Sequence, residues 1–111
     1  MSQYETPLFT GLKEHAKKDP VQFHIPGHKK GAGIDPEFRN FIGDNALSID
    51  LINLGPLDDL HAPKGMIKKA QELAAEAFGA DYTFFSVQGT SGAIMTMVMG
   101  VCGPGDKIIV P

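Results

Sequence analysis

An α/β unit is the fold class that the second half of this sequence predicts, on three observations. The stretch "YTFFSV", Tyr82 to Val87, is aromatic and β-branched and reads as a strand. It stops at "QGTSG", and an uncharged, Met-rich run from Ala93 to Val101 follows with the length of a buried helix. Gly103 to Asp106 then reads as a turn into a short apolar strand, Lys107 to Val110. Strand, glycine loop, helix, strand is the order of an α/β layer.

The elements before it are helices and loops. Thr6-Pro7 reads as an N-cap followed by proline at the first helical position, which predicts a helix to about Lys18. Asp19-Pro20 stops it, because proline disfavours helix in the residue before it. "VQFHIPGHKKGAGID" has no period and is rich in Gly and Pro, so it is expected as a loop with a short extended piece at Val21 to Ile25. Asp35-Pro36-Glu37 starts a second helix that Gly43 ends. "DNALSIDLINLGPLDDLHAPKG" is expected as an extended arm. Pro63 opens the clearest helix, in which Met66, Ile67, Ala70, Leu73, Ala74 and Ala77 share a face and Gly79 closes the C-terminus. The division expected is an arm over 1–60 and a second unit over 61–111.

Composition excludes several classes of function. A net charge of −3 over 111 residues shows no basic excess for nucleic acid. The one cysteine, Cys102, has no partner for a disulfide and none for a thiolate zinc site, so a reducing, cytoplasmic setting is expected. The uncharged run from Phe84 to Gly105 is broken by Gln88 to Gly92, which leaves too little for a membrane span. The sequence closes on a lone strand, and a longer parent protein is the expectation.

Four places carry candidate chemistry. Gly89, Thr90, Ser91 and Gly92 sit where a strand meets a helix. Backbone N–H groups at a helix start, glycines that allow close approach, and two hydroxyls make a cradle for one phosphate. The same hydroxyls also suit a simple N-cap, and the pattern alone leaves both open. The spacing is that of neither a nucleotide P-loop nor a dinucleotide fingerprint. His24 and His28 are separated by Pro26-Gly27, which rules against helical metal spacing, and no metal is expected. With Lys29 and Lys30 they gather positive charge suited to a carboxylate or phosphate, or simply an exposed basic loop. Asp58, Asp59 and His61 in "LDDLH" could bind a cation, do acid–base work, or form a polar arm. Met95, Met97 and Met99 do not share one helical face and read as core.

Taken in order, "FHIPGHKKG", "LGPLDDLHAPKGMIKKAQELAAEAFGAD" and "FFSVQGTSGAIMTMV" closely resemble the N-terminal part of the bacterial Orn/Lys/Arg decarboxylases. Among these the sequence is most similar to the short biosynthetic branch of the Bacillus type, which acts on arginine. The resemblance runs from about Thr6 to Pro111. It implies an aspartate-aminotransferase-like fold, fold type I, of which this chain holds an N-terminal arm and the incomplete start of the large domain. It implies pyridoxal 5'-phosphate as cofactor, a homodimer or multiple of dimers, and a role in making polyamines. The phosphate loop carries over to Gly89, Thr90, Ser91 and Gly92. His24, His28, Asp58, Asp59 and His61 become candidates for the substrate or the subunit interface.

The resemblance also marks what is missing. The family's Schiff-base lysine sits in a Ser-x-His-Lys context, and no lysine from Lys13 to Lys107 does. That catalytic lysine is expected beyond Pro111, as are the histidine stacked on the cofactor and the aspartate at its ring nitrogen. The expected reaction of the parent is decarboxylation of arginine to agmatine. Lysine or ornithine is the alternative substrate, and a non-catalytic phosphate-binding or remnant chain is the alternative of another class.

Overall fold

Prolines and glycines set the helix boundaries in a computed structural model that describes residues 2–110. Helix α1, Pro7–Lys17, has proline in its first turn as expected. Thr6 precedes it without capping it: its hydroxyl lies 3.0 Å from that of Thr10 instead of meeting a backbone N–H. Helix α2, Pro36–Ile42, has a true cap, for Asp35 Oδ1 accepts from the N–H of Glu37 at 3.0 Å and of Phe38 at 3.2 Å. Gly43 ends it at φ +87°.

The region expected as an extended arm is more structured than its pattern shows. Helix α3, Asp44–Ile49, starts directly after Gly43, and Arg39 Nε reaches back from α2 to Asp44 Oδ1 at 2.7 Å. A 3-10 turn follows at Gly55–Leu57. Both place one leucine, Leu47 and Leu57, in the core. An element of six residues is too short to display a helical period, so burial of Leu47 is what reveals it. Helix α4, Met66–Phe78, begins after Gly65, three residues later than Pro63 predicts. It ends as expected, with Gly79 left-handed at φ +65° and the N–H of Ala80 bonded to the carbonyl of Ala75 at 2.9 Å.

Helix α1 packs against α4, α3 and the 3-10 turn, and α2 against α3. Gly11 of α1 lets α4 approach closely, since a Cβ there would lie 2.5 Å from Met66 Cε. The core between these helices is small: Leu47, Leu57, Ile67, Leu73 and Ala75. Gly31 is buried beside it, with φ +90° and Leu47 Cδ1 only 2.8 Å from where a Cβ would stand.

The two expected strands require correction. Residues 82–86 and 106–110 carry no regular secondary structure, and no β-ladder forms among the described residues. A strand is completed by a neighbour about 4.7–4.9 Å away, and these residues hold none for either segment. Helix α5, Gly89–Val101, also begins earlier than expected and takes in the whole Gly-Thr-Ser-Gly. None of its residues is buried, and Met99 is 80% exposed. The radius of gyration, 18.1 Å, exceeds the roughly 13 Å of a compact chain of this length. The described residues thus form helices and loops, and the α/β layer expected from the sequence is not formed among them. Among the described residues no helix is long and apolar enough to cross a membrane.

Replacing Gly31 by Ala is expected to cost about 1–3 kcal/mol, through left-handed strain and contact with Leu47. Urea unfolding of the two proteins checks it, with an unchanged midpoint as the contrary result.

Candidate functional site

The start of α5 is an open helix terminus. Gln88 stands at the cap position and gives no side-chain hydrogen bond to the first turn. Thr90 and Ser91 are inside that turn, exposed, and neither hydroxyl has a protein partner among the described residues. They do not act as N-caps here. The two glycines have separate backbone reasons. Gly89 is left-handed at φ +71°, and a Cβ on Gly92 would lie 2.6 Å from Gln88 Cβ. Ser86 Oγ braces the turn by donating to the carbonyl of Gly89 at 3.2 Å. The outcome is a set of unfilled N–H groups at the positive end of a helix dipole, flanked by two free hydroxyls, an arrangement able to hold one phosphate. A groove of about 530 Å³ between α1 and α3, lined by Phe9, Lys13, Ala46 and Ile49 among others, lies away from it. Phosphate recognition rests on N–H donors, so the open terminus is the better candidate.

Asp58 is the other notable position, and it behaves unlike its neighbour. Its Oδ1 accepts from the N–H of Asp59 at 3.0 Å and of Lys64 at 2.8 Å. Its Oδ2 accepts from Gly65 at 2.8 Å, Ile67 at 2.9 Å and Lys68 at 3.4 Å. Ile67 and Lys68 are the second and third residues of α4, the ones an N-cap side chain would serve. Asp58 therefore caps α4 from outside the helix, across the turn 58–65. Partial burial raises its carboxyl, but the N–H groups of Lys64, Asp59, Gly65 and Ile67 outweigh that and hold it well below the usual carboxylate range. Asp58 also has φ +72° and ψ 176°, a region otherwise occupied by glycine. Asp59 and His61 stand exposed on the turn; Asp59 Oδ1 accepts from the N–H of His61 at 2.9 Å and from Asn53 Nδ2 at 3.4 Å.

The loop 23–34 is held by polar groups of its own and of Asp19, Pro20 and Asp50. His28 Nδ1 accepts from the N–H of Gly31 at 3.2 Å, which leaves Nε2 to donate to Asp50 Oδ2 at 3.1 Å. Lys29 Nζ donates to the His24 carbonyl, and Lys30 Nζ to Pro20 O at 2.7 Å and Asp19 Oδ1 at 2.5 Å. Both ammonium groups thus have internal acceptors. His24 Nδ1 lies 2.6 Å from the Ile25 carbonyl. The segment 50–53 links the two loops, with Asp50 on His28 at one end and Asn53 on Asp59 at the other. No hydrogen bond joins either loop to Thr90 or Ser91 among the described residues. Sequence reasoning missed Asp50 and Asn53, which no local spacing distinguishes, and it missed Gly31, whose left-handed place beside two left-handed lysines only the structure reveals.

The model of the Orn/Lys/Arg decarboxylase major domain matches residues 6–111. The arginine decarboxylase of Bacillus subtilis is 85% identical over 111 residues, which are 100% of this chain and 23% of that protein. That of Bacillus anthracis is 80% identical over 111 residues, 100% of this chain and 22% of the relative. The lysine decarboxylase LdcA of Pseudomonas aeruginosa is 34% identical over 110 residues, 94% of this chain and 15% of the relative. The chain thus spans 22–24% of the length of the arginine decarboxylases it matches. No solved structure matches it significantly.

The Asp58 geometry sets a pH dependence. A carboxyl with a depressed folded value binds its proton more readily in the unfolded chain. Its contribution is complete above the ordinary carboxylate value of about 4 and is lost as pH falls below it. The stability gap between the parent and Asp58→Ala is expected to be largest at neutral pH and to shrink on acidification. Urea midpoints across that range measure it, and a pH-independent gap is the opposing outcome.

Proposed function

The chain belongs to the Orn/Lys/Arg decarboxylase family, and we propose that it is the N-terminal part of an arginine decarboxylase. The complete protein removes the α-carboxylate of arginine as CO₂ and leaves agmatine. The observation that carries this reading is the 85% identity, along the whole chain, to an arginine decarboxylase, against 34% to a lysine decarboxylase.

The cofactor in this reading is pyridoxal 5'-phosphate, which when bound supplies the electron sink for loss of the carboxylate. Gly89, Thr90, Ser91 and Gly92 hold its phosphate end. The fit is supported by the uncapped first turn of α5 and by two hydroxyls without protein partners. The N–H groups and hydroxyls orient the phosphate; glycine at 89 and 92 keeps side chains out of its approach. In this proposal residues 1–60 are an arm and 61–111 open a fold type I large domain. The segments 82–86 and 106–110 then pair with strands from the rest of the protein, which also covers α5. The assembly is a cytoplasmic homodimer or multiple of dimers. His24, His28, Asp59 and His61 lie toward the substrate or the subunit interface. The lysine that carries the cofactor belongs to the part of the enzyme outside this chain.

Two measurements on the complete protein test the reading. With added pyridoxal phosphate, CO₂ release is expected at least tenfold faster from arginine than from lysine or ornithine. A faster rate on lysine or ornithine replaces the substrate, and none on any of the three removes the enzyme reading. Each of Thr90→Ala and Ser91→Val is expected to weaken cofactor binding about tenfold, the effect of one hydrogen bond to a charged group. Titration of cofactor absorbance reads this directly, and parental affinity in both variants would move the phosphate site elsewhere.

A further inference from the structure

Of the acidic pair in "LDDLH", the first member has both oxygens engaged by backbone N–H groups and the second is exposed. We propose that Asp58 is a positioning residue: its carboxylate serves as a built-in anion at the N-terminus of α4, closing the turn that presents Asp59 and His61, and does not itself meet the substrate. The proposal rests on the decarboxylase reading for its catalytic readout alone.

Three features of the geometry point to it. The donors come from both ends of the turn, Asp59 at one side and Lys64, Gly65, Ile67 and Lys68 at the other, so the carboxylate pins the loop shut. The fit is close, since a Cβ on Gly65 would lie 3.4 Å from Asp58 Cγ and Oδ2. The backbone of Asp58 is held at φ +72°, a conformation that a non-glycine residue keeps only where its surroundings over-determine it. A group held this way is a poor partner for a substrate cation. Any cation would have to displace N–H donors already seated on both oxygens.

The same geometry dictates an unusual order among substitutions. Asparagine does not substitute, because its amide nitrogen is a donor where only donors approach. Alanine keeps the backbone strain and removes the acceptor. Glycine relieves the strain and leaves a space lined by N–H groups at a helix N-terminus, which a small anion can fill.

The test uses the complete enzyme with Asp58→Gly, Asp58→Ala and Asp58→Asn, and sodium formate as probe against sodium chloride at equal ionic strength. Asp58→Ala is expected to melt below Asp58→Gly, by roughly 2–4 °C. All three variants are expected to lose at least fivefold in kcat/KM for arginine when assayed well below their Tm. Formate is expected to raise both Tm and kcat/KM of Asp58→Gly toward the parent, and to leave the parent unchanged. Parental Tm and kcat/KM in Asp58→Asn would overturn the proposal. So would an Asp58→Gly enzyme that melts like the parent yet has a raised KM for arginine that formate does not lower, the signature of a substrate contact. Amide exchange at Gly65, Ile67 and Lys68 follows the closure independently. It is expected to speed up in Asp58→Gly and slow again with formate, whatever the enzyme's substrate proves to be.

Discussion

The closure of Asp58 on the N-terminus of α4 is the interaction on which the packed part of this molecule depends. Leu57 lies immediately before it in the core and Ile67 two residues after the turn it closes. The carboxylate therefore sets the spacing between two buried side chains that no regular secondary structure connects. Charge-assisted bonds to N–H groups at a helix start are stronger than neutral ones, and they offset the strained backbone that makes them. Once α4 is started in that position, α1 packs along it and Leu73 and Ala75 complete the small core.

The loop 23–34 is ordered by a related principle. It has no periodic apolar pattern, and its hydrogen bonds run from side chains to backbone and between charges. Lys29, Lys30 and Gly31 are successive left-handed residues, and Gly31 is buried where any side chain would strike Leu47. Turning the two ammonium groups onto His24 in the loop and onto Asp19 and Pro20 just before it satisfies them internally and leaves Phe23 and Ile25 facing outward. His28 then joins the loop to the end of α3 through Asp50. Polar groups thus face the protein and apolar ones face away, the inverse of an isolated globular surface.

The starts of α4 and α5 show two answers to the same electrostatic problem. Both helices have 13 residues, and neither is capped by the residue at its own cap position. At α4 a carboxylate from seven residues upstream fills the terminus. At α5 the N–H groups and the hydroxyls of Thr90 and Ser91 remain available. An internal carboxylate makes a helix end structural, and an unfilled one leaves it free to bind.

Much of this was readable from the chain itself where the signal is local. Pro7 and Pro36 mark helix starts, Asp35 is a cap, Gly43 and Gly79 are stops, and the Gly-Thr-Ser-Gly junction stands out because glycine and hydroxyl residues interrupt an apolar run. These depend on the backbone preferences of single residues and their near neighbours, so sequence alone determined them. The tertiary structure decided what depends on distant partners. It made 44–49 a helix because Leu47 is buried, separated Asp58 from Asp59 by where each carboxylate points, and paired His28 with Asp50, 22 residues away. It also left 82–86 and 106–110 without a ladder among the described residues, because strand propensity belongs to a segment whereas a sheet belongs to its neighbours.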